Sequence, residues 1–468
     1  MKKSGKILPG FFDSHLHLLS LGQAKDTISL RGVRTIPDLI ELLREGLNQK
    51  QIIARGWNHE QIEGRKMPSR TDLDCVSEAI PVVAIRVCGH VAIANSKTIE
   101  LLGGSVNEKI SGGTIDIEQG IFTENTLSLL YDLFSQPSEA DIRRYFLNAQ
   151  NELLSLGVTK VFSDDFLTFD VKEEELIRII DDLYREGLLK IRIIEQVRFR
   201  SYVAFERFIN KGFFSHEFGS WRIGPLKLLL DGSLGGKTAY LKRPYENESD
   251  NYGVQTYSDE ELKAYFDLAN NNKIDVHAHA IGDGASWQFL RVMGQSLKET
   301  KRTDHRHALV HAQMVDHLAI QELKRLKIHA IVQPIFLESD IRMLDQRIGS
   351  RKKESYLFKS MYDAGINVCF GTDSPVESPS PFLNLLAAIT RVSQQDSNLG
   401  PHLKEESFNL EEALKCYRRN TDLLAGDDFT LKNDIIELEN DLDMDDTDTF
   451  IKAKVVRVQI DNKEVYHL

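Results

Sequence analysis

Cysteine is scarce in this chain: four residues, Cys75, Cys88, Cys369 and Cys416, are scattered through 468, with no C-x-x-C pair. That spacing excludes a disulfide framework. Long apolar runs are also missing, and none approaches the length needed to cross a bilayer. The basic start, Met1 to Lys6, leads into no apolar stretch of signal-peptide length. Positive charge is in deficit, with a formal net charge of −12. A basic surface is what phosphate binding requires, so nucleic acid is not an expected partner. There is no internal repeat of fixed period and no low-complexity linker. The expectation is a soluble, cytoplasmic globular protein without a membrane or nucleic-acid partner, and long enough for one large domain with elaborations.

What is present is an alternation of strand and helix patterns. Apolar, β-branched runs at 10–17, 158–162, 190–197, 223–231, 273–280, 308–313, 329–334 and 367–373 read as eight strands. Helical patterns at 140–156, 174–185, 259–271 and 316–326 lie between or beside them, the first ending at Gly157. Eight strands alternating with helices predict an α/β fold, a (β/α)8 TIM barrel over residues 10–18 and 127–425, with a doubly wound sheet as the other arrangement such a run allows. Residues 19–126 break the alternation and read as a long insertion after strand one. Residues 455–465 read as a hairpin turning at Asp461-Asn462. The acidic run 441–448 reads as a solvated loop; it lacks the glycine and terminal glutamate of a calcium loop.

Chemistry concentrates where these strands end. His15 and His17 close the first strand two residues apart, so both project to one face and can grip one cation. His279, His311 and Asp373 end three later strands. In a barrel all carboxyl-terminal strand ends meet at one mouth, so residues hundreds of positions apart converge there. A lone histidine on a strand is usually a hydrogen-bonded structural group; four strands ending in metal-competent residues do not read that way. Lys227 sits in an apolar strand where a bare ammonium is costly to bury, and a nearby carboxylate such as Asp231 is its plainest partner. His277 shares parity with His279 but lies one residue pair deeper, as a supporting or filling group. His305 and His307 fall at the opposite end.

The segments LPGFFDSHLHL (8–18), GWNHE (56–60), GHVAIANSK (from 89), KLLLDGSLGGKTA (227–239), HAIGDGA (279–285), HAQ (311–313) and GTDSPVE (371–377) together resemble the amidohydrolase superfamily. Within it they resemble amidohydrolase family 3, the branch of N-substituted formamide deformylase-like metal-dependent hydrolases. The resemblance spans essentially the whole chain. It implies one or two divalent metals, zinc by default, held by His15, His17, Lys227, His279, His311 and Asp373, with Lys227 as a carbamate. It implies a small β-sandwich from the chain termini, reduced here to 1–9 and 426–468, and pocket-lining segments in the insertion. Trp57, His90, Asp231 and Lys237 are the residues expected to touch substrate, with His59 beside them. Asn58 and Lys237 stand where relatives commonly carry aspartate and arginine, so substrate preference is expected to differ.

The expected reaction is hydrolysis of a carbon–nitrogen bond in a small non-peptide amide by metal-activated water. Asp373 serves as general base and His279 helps to polarise the carbonyl. The same scaffold is open to ester, lactone or phosphoester hydrolysis, to sugar-acid isomerisation, or to metal binding without turnover. A homo-oligomer is left open.

Overall fold

The computed structural model describes all residues except 1–5, 88, 90, 108–109, 111–112, 124–125, 134–135, 395–396 and 427–433. Two compact units divide the chain: Leu21–Tyr145, and Met1–Ser20 together with Phe146–Leu468.

The larger unit is a parallel barrel. Its strands are β1 (Phe11–Leu16), β2 (Val158–Ser163), β3 (Arg192–Val197), β4 (Trp221–Leu229), β5 (Val276–Ala280), β6 (Ala308–His311), β7 (His329–Val332) and β8 (Val368–Phe370). Each pairs in parallel with the next, in sequence order. Backbone bonds just past β8 bring the ring round to β1: Asp373 N–H donates to His15 O at 2.8 Å and His17 N–H to Ser374 O at 2.9 Å. At Gly371 a side chain would meet His15 N at 2.7 Å, so glycine is what lets the two backbones approach.

The eight strands fall within a few residues of their expected positions, and the reason is burial. β1, β2, β3, β6 and β8 are buried at every position, as parallel strands covered on both faces must be. Phe12 and Phe162 stack inside the barrel with ring centroids 5.4 Å apart. Ile194, Ala308, Val310, Ile331 and Cys369 fill the space around them. Outside, helix Glu173–Arg185 lays Leu176, Ile177, Ile179, Ile180 and Leu183 inward, and helix Asp259–Asn271 begins with a Ser258–Glu261 capping box.

The reduced terminal sandwich is a four-stranded antiparallel sheet in the order Ile7–Pro9, Ile435–Leu438, Val455–Ile460, Lys463–His467. Its hairpin turns at Asp461 and Asn462, at φ 51° and 61°, the left-handed pair a two-residue turn demands. The strand Ile435–Leu438 is a structural addition to the sequence reading.

The Leu21–Tyr145 unit holds a six-stranded mixed sheet, from Ile28–Ser29 through Ile52–Trp57, Val82–Arg86, Val91–Ala94 and Ile121–Thr123 to Ile115–Asp116. Apolar clusters cover its two faces, one around Leu39, Leu43 and Ile52, the other around Val83, Ile85 and Phe122. Among the described residues no helix is long and apolar enough to cross a membrane.

Candidate metal centre

The ends of β1, β4, β5, β6 and β8 converge at the barrel mouth. The ligand atoms of His15, His311 and Asp373 lie within 4.8 Å of one another. Asp373 Oδ1 is 3.3 Å from His15 Nε2 and 3.0 Å from His17 Nε2. Lys227 Nζ is 2.9 Å from His15 Nε2. The His279 ring stands 4.5 Å from that of His311, centroid to centroid. The sequence-expected ligand set is therefore one constellation, assembled by five different strands.

Each imidazole is oriented from behind. His17 Nδ1–H donates to the Asp164 carbonyl at 2.9 Å, His279 Nδ1–H to Asp231 Oδ1 at 2.9 Å, and His311 Nδ1–H to Gln333 Oε1 at 2.8 Å. A neutral ring that donates through Nδ1 leaves its Nε2 lone pair free, which is the tautomer a cation needs. Gln196 holds His15 through Nδ1 at 3.0 Å. Asp13 fixes the backbone beneath, accepting from His15 N–H at 3.0 Å and from the Thr372 hydroxyl at 2.7 Å, and so ties β1 to the exit of β8. His311, Ala312 and Asp373 all adopt positive φ, at 72°, 43° and 55°. Such backbone costs on the order of 1 kcal/mol or more per residue and gathers at functional sites.

The electrostatics suit a cation. Burial lowers His15 to about 4, with the Lys227 charge adding to the fall, and burial holds His311 well below its usual range. Both rings are thus uncharged ligands at neutral pH. Burial opposes ionisation of Asp373, yet the His15 and His17 rings beside it hold its carboxyl well below the usual range. Burial brings the Lys227 amine down to about 8, against the pull of Asp164 and Asp373. Neutral nitrogen donors beside an ionised carboxylate fit a divalent metal of the zinc type.

The residues expected around substrate are placed as follows. Asp231 does not pair with Lys227. It accepts from His279, from the N–H groups of Ile281 and Gly282, and from Tyr240 N–H, so both oxygens are engaged within the protein. Lys237 forms an ion pair with Glu248 on the loop after β4. Trp57 is enclosed in the core of the Leu21–Tyr145 unit, where its indole N–H donates to the Ala84 carbonyl at 2.9 Å. In the same unit, His59 accepts from Arg86 at 3.4 Å and Asn58 from Arg86 at 3.0 Å. His90 lies outside the described residues. His277 is buried and bonded to Gln196 at 3.1 Å. His307 lies at the other end of the barrel, bonded to Val276 N–H and to Asn270. Sequence reasoning missed Asp13, Asp164, Gln196 and Gln333. Gln333 carried the same signal as His311, a polar residue just after an apolar strand.

A parallel eight-stranded barrel with imidazoles and a carboxylate gathered at its mouth is the architecture of a metal-dependent hydrolase. The amidohydrolase family profile matches residues 5–428, and the chain belongs to that family. An uncharacterized metal-dependent hydrolase of Pyrococcus horikoshii has a similar structure, with TM-score 0.74 and 30% identity, over 90% of this chain and 81% of that one. The chain is 27% identical to YtcJ of Bacillus subtilis over 88% of its own length and 78% of the relative's. It is 23% identical to the N-substituted formamide deformylase of Arthrobacter pascens, over 89% and 79% respectively.

Proposed function

We propose that the chain hydrolyses carbon–nitrogen bonds of small non-peptide amides at a divalent-metal centre of His15, His17, Lys227, His279, His311 and Asp373. The observation that carries this reading is the clustering of His15, His311 and Asp373 ligand atoms within 4.8 Å, backed by the Nδ1 contacts that turn Nε2 of His17, His279 and His311 to the mouth. Likeness to a formamide deformylase supports the amide bond as target.

When bound, a divalent cation, zinc by its donor set, supplies Lewis acidity that lowers the pKa of water and polarises a carbonyl. The chain's own residues do the rest. Asp373, kept ionised by His15 and His17, takes a proton from the attacking water and passes it to the departing nitrogen. His279, with the Asp231 carboxylate behind it, meets the carbonyl side of the substrate. Carboxylation of Lys227 by carbon dioxide, with loss of one proton, would turn a buried amine into an anionic oxygen ligand. Asp231 acts through His279, and Lys237, on the loop after β4, is the substrate contact we retain from the sequence.

Elemental analysis of the purified protein, beside the variant with His15→Ala and His17→Ala, tests the centre. One or two equivalents of metal, largely lost in the variant, are expected, together with hydrolysis of N-formyl or N-acyl amines that a chelator abolishes. A protein that stays metal-free after incubation with zinc and bicarbonate overturns the reading.

A further inference from the structure

Arg198 follows the last residue of β3 and so stands at the mouth. Its Nε is 3.5 Å from Oδ1 of Asp164, and their side chains are 26% and 1% exposed. Asp164 is the residue whose main-chain carbonyl orients His17, so a single residue sets the guanidinium in register with an expected metal ligand. Beyond that ion pair, Arg198 makes no hydrogen bond to the described residues. Two other cations on loops at this end are held within the protein: Lys242 by Asp316, and Arg351 by the carbonyls of Arg243 and Pro244.

A planar guanidinium with free donors is built for a carboxylate, which it grips through two parallel N–H bonds. Placing it at the mouth of a chain with net charge −12 gives an anionic substrate an attractive point against a repelling overall charge. We infer that Arg198 is a specificity residue that receives the carboxylate of an anionic amide substrate; this rests on the amide-hydrolase reading. The substrate class is then N-acylated amino acids and related carboxylated amides.

The test compares N-formyl-β-alanine with its neutral carboxamide analogue on the zinc-loaded enzyme. The wild type should favour the carboxylate in kcat/KM by about 10- to 100-fold, the range of a charge-assisted pair. Arg198→Met should bring that ratio to about one. Arg198→Lys keeps a counter-charge for buried Asp164 and so guards against misfolding; it should leave an intermediate ratio, because a point charge lacks the fork. Hydrolysis of both amides with no preference in the wild type, or a preference that survives in both variants, overturns the subsite and leaves the hydrolase intact. Calorimetric binding of glutarate to the same zinc-loaded proteins separates the two readings. If neither amide is hydrolysed but glutarate binds at least 10-fold more weakly to Arg198→Met, the subsite stands and the amide reading falls. Equal glutarate binding to wild type and Arg198→Met overturns the subsite.

Discussion

Nζ of Lys227 lies 2.9 Å from Nε2 of His15, in the buried centre of the barrel mouth. Among the described residues no carboxylate stands opposite the amine at that distance; its hydrogen-bond partner is an imidazole. A lysine placed among expected ligands, rather than in an ion pair with Asp231, is available to become one of them.

Lys227→Met keeps the stem and removes the nitrogen. Metal bound per chain should fall by at least half, and turnover of any amide substrate by 10³-fold or more. Elemental analysis and steady-state rates read both. Full metal content with near-normal rates would leave Lys227 as packing.

Asp373→Asn should abolish turnover, by about 10³-fold or more, while most of the metal stays bound through the imidazoles. The amide keeps the shape of the carboxylate but cannot take the proton of water. The metal-to-protein ratio and kcat, measured on one preparation, separate this from loss of the centre. An active asparagine variant would remove Asp373 from the role of base.

These expectations rest on residues that were legible as a pattern. His15, His17, His279, His311 and Asp373 each close or follow an apolar run, and the barrel topology alone brings them together. Lys227 was legible because a cation in an apolar strand needs a reason. Asp164, Gln196 and Gln333 were not read: Asp164 orients His17 through its backbone carbonyl, which any residue type could supply. Gln333 touches His311 from the exit of the neighbouring strand and Gln196 touches His15 from two strands away, so those contacts follow from strand order rather than from local spacing. The strand Ile435–Leu438 was missed because four residues beside an acidic stretch carry too short a period. The mixed sheet of Leu21–Tyr145 had no alternation to betray it, since its strands change from parallel to antiparallel pairing midway.

Asp231 takes four hydrogen bonds, one from His279 and three from backbone N–H groups. Asp231→Ala should weaken metal binding by about 10- to 100-fold, the usual effect of losing the group that orients a ligand. It should also destabilise the fold by about 3 kcal/mol or more, because the backbone donors of buried Ile281 and Gly282 lose their acceptor. Chelator competition and denaturant titration measure the two effects. A variant with unchanged metal affinity would mean that His279 needs no support from behind.

Asp340 gives the pH prediction, because it lies buried on the segment after β7 and is none of the expected ligands. It accepts from the Tyr356 hydroxyl at 2.5 Å and from Gln313 at 2.5 Å. Burial raises its carboxyl from 3.8 to about 6 in spite of both donors. The folded state therefore binds the proton more tightly than the unfolded state does. The stabilisation from that proton is fully present below about pH 4 and is lost as pH rises through 6. Asp340→Asn imitates the protonated carboxyl at every pH. The variant should match the wild type near pH 4 and be the more stable of the two at pH 7.5, by a difference on the order of 3 kcal/mol at most. Urea unfolding of both proteins at half-unit steps across this range measures the gap. A gap that stays level from pH 4 to 7.5 would mean that Asp340 is ionised in the folded protein throughout, with the Tyr356 and Gln313 donors outweighing its burial.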